Sequence, residues 1–497
     1  MAFEKQQAFF VQNKRNVASD QFESTARIEV QPEKPVKRVL TVKAMAKITT
    51  KEKVADDVKF SGKTTYQIAY QTEDNTLCSA LAVVEWNGKL ENVKEENVFL
   101  TANVMANTIT GFSGTEIAIS SLVNVDAFGI FKEEVQGVEN LSEDFVKLEK
   151  TYEYENVVSF ASDSFNEVAE LEVPAIVSDV LYSDGTVEVA NVICGIDTVT
   201  IEGTVHANGT FVQEGKVVPF AKDIDFKREL SALSTVPNNI ADADVYLENL
   251  MVTASVNETD QKTNLVFSVE LSVCTAVYSK EMAVLVQDAF STLKEVENTY
   301  ECVTATNFEK SENYKESITA TIQTPENVVV LGYVFKANAE ITDKIQTDNG
   351  TLLNGAIMVE AVLLDENANA EMFKNFAPFS ILVPDATEND EYAIKTVVTN
   401  ATLKANTLEI ALDALVNYKE NSKEYIGFVK SIEEKEEKVK SNSAIRVYVT
   451  KEGEDLFAVA KAISMKPEDI LMQNPGVTEN LENGTRLVVY SGLNLNF

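Results

Sequence analysis

The segment Glu116–Asn124, EIAISSLVN, returns as EIALDALVN at Glu409–Asn417, 293 positions later. Both copies belong to stretches in which apolar and polar residues alternate with a period of two, as is typical of a β-strand that buries one face. The same period continues in RVLTVKAMAKIT at Arg38–Thr49 and in TTYQIAYQ at Thr64–Gln71. The alternation therefore predicts a mainly β fold for most of the chain.

Asn-Gly pairs interrupt two of these strand-like stretches. Asn208-Gly209 divides VHANGTFV, and Asn87-Gly88 follows Trp86 in VVEWNGKL. Because Asn-Gly favours the tight turn of a two-residue hairpin, we expect a turn at each pair. We expect His206 to lie exposed beside the first turn and Trp86 to anchor the packing before the second.

Further landmarks repeat at related distances, which indicates that whole domains are repeated in series. Gly62 and Gly355 are also 293 positions apart, and a Pro-Phe pair recurs at 219–220 and 378–379. Two other pairs of landmarks share a spacing of 148 positions, close to half of 293: the TYE motifs at Thr151 and Thr299, and the Lys-Glu pairs at 132–133 and 280–281. The predicted organisation is an N-terminal arm at 1–26, three tandem antiparallel β-domains at 27–150, 151–298 and 299–428, a charged linker at 429–443 and a final module at 444–491.

The charge of the chain limits its partners. It carries 78 acidic against 43 basic residues, a formal charge of −35, which would repel a nucleic-acid backbone and an anionic membrane surface. No uninterrupted apolar run reaches the length of a signal peptide or a transmembrane segment, so we expect a cytoplasmic protein with neither. The four cysteines form no C-x-x-C pair, and we expect them to be buried free thiols: Cys78, Cys194, Cys274 and Cys302.

The residue inventory discourages an enzymatic function. His206 is the only histidine, which excludes a catalytic triad with histidine and a multi-histidine metal site. FSGKTTY ends like a phosphate-binding loop, but Asp57 replaces the first glycine and a strand-like pattern follows where a helix is required. The acidic stretches TENDEY and LLDENANAE lack the spacing of a calcium loop. We therefore predict no catalytic residues, no metal and no cofactor.

The pattern changes after Ile445. IRVYVT alternates as a strand, and apolar residues then recur at helical spacing from Leu456 to Ile463, with Asp455 placed to cap the helix. Pro467 suits the first position of a second helix, and TRLVVY gives a closing strand. The predicted order is strand, helix, helix, strand, a small α+β module.

This order and its residues resemble a LysM module. The resemblance rests on GEDLFAVA at Gly453–Ala460, KPEDILMQNPGV at Lys466–Val477 and NGTRLVVY, and covers about a tenth of the chain. LysM modules form shallow grooves for N-acetylglucosamine glycans between the loop after the first strand and the loop after the second helix. The resemblance implies a groove built from Gly453, Glu454, Asp455, Leu456, Phe457, Asn474, Pro475, Gly476, Val477 and Thr478.

Two features of this groove leave alternatives open. Leu456 and Asn474 could instead serve core packing and helix capping alone. Asp455 stands where the family usually has a hydroxyl residue, and with Glu452 and Glu454 it makes the first loop acidic. A neutral saccharide gains little from such a loop, whereas a basic protein surface gains steering and specificity.

Three β-domains ahead of one LysM module resemble the SPOCS-containing spore-coat morphogenetic proteins of Firmicutes. The strands VTIEGTV and GKTTYQIAYQTED, the Pro-Phe pairs and the endings LVNVDAF and LVNY carry this resemblance. It implies a non-enzymatic scaffold on the mother-cell side of the forespore. Its LysM module would dock onto the coat's basal-layer ATPase, a morphogenetic protein, and its SPOCS-like β-domains would bind other coat components. The alternative is a cell-wall protein that binds peptidoglycan or chitin.

Overall fold

The computed structural model describes residues 6–139, 141–257, 259–325, 330–365, 367, 369–438 and 445–490. Most of this chain is strand, and the strands pair antiparallel, which confirms the prediction of a mainly β fold. The first six strands are β1 (Gln6–Glu29), β2 (Val36–Val54), β3 (Asp57–Thr72), β4 (Leu77–Leu90), β5 (Val98–Phe112) and β6 (Glu116–Val138). The next six are β7 (Phe145–Val173), β8 (Asp179–Cys194), β9 (Thr198–Gln213), β10 (Lys216–Ser231), β11 (Ile240–Asn257) and β12 (Lys262–Ser291).

A third series and a small terminal module complete the chain. The series consists of β13 (Lys294–Gln323), β14 (Val330–Thr347), β15 (Gly350–Leu364), β16 (Ala370–Pro384), β17 (Glu391–Lys404) and β18 (Thr407–Glu437). The module consists of β19 (Ile445–Val449), α1 (Leu456–Ile463), α2 (Pro467–Gln473) and β20 (Arg486–Tyr490). Within the described residues, neither helix is long and apolar enough to cross a lipid bilayer.

The same pairing pattern occurs in each series of six strands, here called a strand set. The first strand pairs with the sixth and the sixth with the fifth, as in β1-β6-β5, β7-β12-β11 and β13-β18-β17. The second, third and fourth strands form a separate sheet, as in β2-β3-β4, β8-β9-β10 and β14-β15-β16. Apolar side chains that alternate along both sheets of a set meet in shared core clusters such as those of the second and third sets, as in two packed sheets.

The repeated segments of the sequence occupy equivalent strands of these sets. EIAISSLVN lies in β6 and EIALDALVN in β18, each the last strand of its set. The Pro-Phe pairs lie in the fourth strands β10 and β16, and each phenylalanine covers a glycine of the third strand, Gly209 or Gly355. The repeats of the sequence therefore mark recurring positions in the sheets.

The expected Asn-Gly turns are wrong. Gly209 lies inside β9 and Gly88 inside β4, so the backbone continues as a strand through both Asn-Gly pairs. A Cβ at Gly209 would lie 2.2 Å from the carbonyl oxygen of Tyr182 and 2.4 Å from the Phe220 ring. Glycine is present because an aromatic ring of the next strand lies across the backbone, which is another use of glycine within strands. The turn after β9 instead has positive φ angles at Glu214 and Gly215.

His206 and Trp86 consequently lie within strands and not beside turns. The His206 ring is held between two carboxylates, with Nδ1 2.8 Å from Asp223 and Nε2 3.0 Å from Glu188. Trp86 is largely buried, and its Nε1 donates a hydrogen bond of 2.8 Å to Thr64 Oγ1. Trp86 is a packing anchor of the first set.

The predicted segment limits differ from the strand limits. The limits at 150/151 and 298/299 fall inside β7 and β13, the first strands of their sets. Most of the expected N-terminal arm is β1, which pairs with β6 from Gln6 to Glu29. The expected linker at 429–443 begins as strand, because β18 continues to Glu437; residues 439–444 lie outside the described chain.

The long first and last strands of the three sets meet at a common centre. Aromatic and aliphatic side chains from all three sets share one buried cluster there, including Phe9, Tyr152 and Phe428. Three asparagine side chains link the sets in a ring through hydrogen bonds to backbone atoms. Asn156 Oδ1 of the second set accepts from Gln12 N of the first at 2.8 Å, and Asn307 Oδ1 of the third accepts from Glu155 N of the second at 2.9 Å. The Asn13 amide nitrogen of the first set lies 3.0 Å from Thr306 O of the third. The three sets therefore pack around a pseudo-threefold centre.

Cys78, Cys194 and Cys274 are buried free thiols, but Cys302 is exposed. Its neighbour Val303 points into the central cluster. Since successive side chains of a strand point to opposite faces, Cys302 faces outward from β13. The expectation of a buried thiol is wrong at this one position among the four.

Candidate functional site

The terminal module places its two long loops at one end. The first loop, 450–455, follows β19, and the second, 474–485, follows α2. Thr450 N donates to Thr485 O at 3.0 Å, and Gly484 N donates to Thr450 O at 2.9 Å. These bonds join the start of the first loop to the end of the second, so the two predicted halves of the groove are neighbours.

The first loop is shaped by its own acidic side chains. Glu454 accepts from Lys451 N at 2.8 Å and from the Tyr448 hydroxyl at 2.9 Å. The backbone hydrogen bond, followed by that from Tyr448, holds the pKa of Glu454 below its ordinary value. Glu454 is therefore ionised at neutral pH, and it fixes the loop as well as adding charge to it.

Asp455 and Gly453 define the entry into α1. Asp455 Oδ1 accepts from Ala458 N at 2.7 Å, which is the hydrogen bond of a helix N-cap. Gly453 has a φ of +82°, a left-handed conformation that favours glycine. Both residues are exposed to solvent, as is Glu452. The first loop thus presents a rigid acidic edge.

Leu456 and Asn474 serve the structure of the module. Leu456 is buried in the module core with Val459 and Ile463. Asn474 donates from Nδ2 to Ile470 O at 2.8 Å and to Val488 O at 2.9 Å, while its Oδ1 accepts from Val488 N at 2.7 Å. The hydrogen bonds of the Asn474 amide therefore join the end of α2 to β20, and both of its polar atoms have partners inside the module.

The second loop supplies the more open surface. Pro475, Gly476 and Thr478 are exposed, and Gly476 has a φ of +96°. Val477 is half-buried and packs against the module core. The accessible part of the predicted groove consequently combines an acidic first loop with the uncharged residues 475–478 at the start of the second loop.

Phe457 faces the body of the protein. Its ring lies 5.4 Å from that of Phe290 in β12, in an edge-to-face arrangement. Phe290 is 1% exposed and belongs to the same buried cluster as Leu456, Val459 and Leu487 of the module. The module is thus packed on the end of the second strand set, and Phe457 belongs to that contact.

Polar contacts surround this aromatic pair. Lys461 Nζ lies 2.5 Å from Asp288 Oδ2. Lys438 Nζ donates to Ser464 Oγ at 2.7 Å and to Ser291 O at 2.9 Å, so it bridges the module and β12. Sequence patterns gave no sign of these partners, because Phe290 and Asp288 are more than 160 positions away from the residues that they meet.

Other chemistry is sparse. Among the side chains that the structure describes, no group of three or more His, Cys, Asp or Glu residues is arranged to hold a metal ion. No family model, no curated protein and no solved structure matches the chain. The geometry of the two module loops therefore carries the functional interpretation.

Proposed function

We propose that the terminal module is a LysM-type docking module that binds a protein partner with its first loop, 450–455, and the start of its second loop, 474–478. One observation carries the proposal. The acidic edge at Glu452 and Asp455 and the neighbouring residues Pro475, Gly476 and Thr478 are exposed, although the module is packed on the body. A basic partner surface would complement this edge, with a gain in association rate and specificity.

The whole chain is then a non-enzymatic scaffold of the SPOCS type, with three β-domains available to further components of a spore coat or envelope. The three strand sets support this, since the same arrangement of two three-stranded sheets recurs in each set. A coat morphogenetic ATPase on the mother-cell side of the forespore is the proposed partner of the module. Two linked binding regions would raise the overall affinity through their effective concentration.

The fixed position of the module refines this proposal. Contacts through Phe290, Asp288 and Lys438 hold the module against β12. A partner bound at the loops would therefore have a defined orientation relative to the strand sets. This suits a scaffold that arranges layers, since pre-organisation reduces the entropy lost on assembly.

The test uses the full chain with the purified ATPase of a spore-coat basal layer, and separately with peptidoglycan and chitin oligomers. Glu452→Gln with Asp455→Asn removes two charges from the groove edge while asparagine keeps the N-cap. Glu468→Gln with Asp469→Asn makes the same charge change on exposed positions of α2 and is the matched control.

We expect binding to the ATPase that the groove variant weakens about tenfold, equivalent to about 1.4 kcal/mol, and that the control leaves unchanged. Saturable glycan binding without protein binding would overturn the proposal in favour of the cell-wall alternative. Equal losses in both variants would contradict the assignment of the groove.

A further inference from the structure

A cavity of about 440 Å³ lies where the three strand sets meet. Its wall is built by β5 of the first set, by β8, β9 and β11 of the second, and by β14 and β17 of the third. This volume lies within the range of small-molecule sites. The cavity is separate from the module and its loops.

Two lysines of the third set line this cavity, Lys336 from β14 and Lys395 from β17. Lys395 Nζ donates to Val187 O at 3.1 Å, and Lys336 lies 3.3 Å from the side-chain amide of Asn338. No described carboxylate lies within ion-pair distance of either ammonium group, whereas Lys14, Lys43 and Lys419 nearby all have such partners. The hydrogen bonds of both amines thus go to neutral groups, while Asp244 acts on Lys395 and Asp184 on Lys336 at longer range.

The one carboxylate among the described lining residues is already engaged. Asp184 forms an ion pair of 3.1 Å with Lys43 of the first set, and it accepts from Gly185 N at 2.9 Å and from the Tyr182 hydroxyl at 3.1 Å. The neighbouring carboxylates are also paired: Asp244 lies 2.6 Å from Lys14 and 2.7 Å from Lys419, and Glu360 lies 3.0 Å from Lys374. Because these carboxylates already have lysine partners, the positive charges of Lys336 and Lys395 have no ion-pair partner among the described residues.

The excess of positive charge acts on a neighbour of the cavity. Burial lowers the pKa of Lys43 despite its partner Asp184, and the charge of Lys336 acts in the same direction. Lys336 itself is half-buried and Lys395 is exposed, so an anion can reach both ammonium groups from solvent. An anion bound there would supply the counter-charge that the paired carboxylates do not.

We propose that this cavity binds a small phosphate-type oxyanion between Lys336 and Lys395. Charge-assisted hydrogen bonds from the two ammonium groups would hold the anion. The amide side chains of Asn103, Asn208 and Asn338 also line the cavity and supply neutral donors from all three sets. A bound anion would link the three sets through one ligand, so that occupancy stabilises their arrangement.

Isothermal titration of inorganic phosphate into the full chain, at constant ionic strength set with chloride, tests the site. We expect saturable binding at one site per chain. Lys336→Met and Lys395→Met should each weaken it at least about tenfold, because each removes a charge-assisted hydrogen bond to the anion. Lys404→Met is the control, because Lys404 is exposed and pairs with Glu409 on the surface.

A second measurement keeps the proposal testable if a variant folds poorly. Without phosphate, Lys336→Met should keep or raise the melting temperature of the protein, because the substitution removes repulsion of Lys43. Phosphate should then raise the melting temperature of the wild-type chain and not that of Lys336→Met. Absence of saturable phosphate binding to the wild type in the millimolar range, or equal binding by both lysine variants, would overturn the site.

Discussion

Phe290→Ala should release the module from the body of the protein. Phe290 is fully buried in the cluster that also contains Leu456, Val459 and Leu487, and its ring packs edge-to-face on Phe457. Loss of a buried phenylalanine costs about 3–5 kcal/mol through lost transfer free energy and the cavity left behind. An exposed ion pair such as Lys461–Asp288 contributes only about 0–1 kcal/mol, so it cannot hold the module alone.

A double-mutant cycle separates the ring contact from general destabilisation. The two single variants are Phe290→Ala and Phe457→Ala, and the coupling free energy between them should be about 0.5–1.5 kcal/mol for an edge-to-face pair. Each variant should also increase hydrogen exchange of β12 near Phe290, which the module covers.

Lys461→Met is the matched control on the same interface and should change exchange in β12 little. A coupling free energy near zero, with unchanged exchange in β12, would refute the docking of the module through this pair.

Three further predictions concern single residues. Asn474→Ala should destabilise the module by about 2–4 kcal/mol, because it leaves buried backbone groups of Ile470 and Val488 without partners. Chemical denaturation followed by hydrogen exchange at α2 measures this loss. An unchanged denaturation midpoint would contradict the role of Asn474 in joining α2 to β20. Gly209→Ala should destabilise the second strand set, because its Cβ would approach Tyr182 O to 2.2 Å; thermal unfolding checks it, with Gly111→Ala as the control, because a Cβ at Gly111 would meet no atom within 4 Å. Burial raises the pKa of Glu248 to about 7, above the ordinary value in the unfolded chain. The native state therefore binds the extra proton, and stability should fall as pH rises from about 4 to 7. Glu248→Gln should raise the melting temperature at pH 8 and have little effect near pH 4, and a pH-independent difference would exclude this titration.

The strand periodicity of the sequence predicted the fold class, because local alternation directly encodes which face of a strand is buried. The repeats also marked equivalent strands, as EIAISSLVN in β6 and EIALDALVN in β18 illustrate. The Asn-Gly turns failed for a tertiary reason: an aromatic ring from a neighbouring strand uses the space that glycine leaves. A short dipeptide cannot distinguish these two uses of glycine.

The candidate site was predictable only in its local parts. Capping by Asp455 and the apolar face of α1 follow from spacing along the chain, and the structure has both. The contact of Phe457 with Phe290 joins the terminal module to the second strand set, and the cavity lined by Lys336 and Lys395 is formed by residues of all three sets. Their partners are brought together by the arrangement of the sets, which no local pattern specifies.

The most direct test of the docking function is hydrogen exchange of the full chain with and without its purified ATPase partner. Binding should slow exchange at 450–455 and 474–478 while the strand sets remain unchanged. Slowed exchange confined to the strand sets, with both module loops unaffected, would contradict partner docking at the module loops.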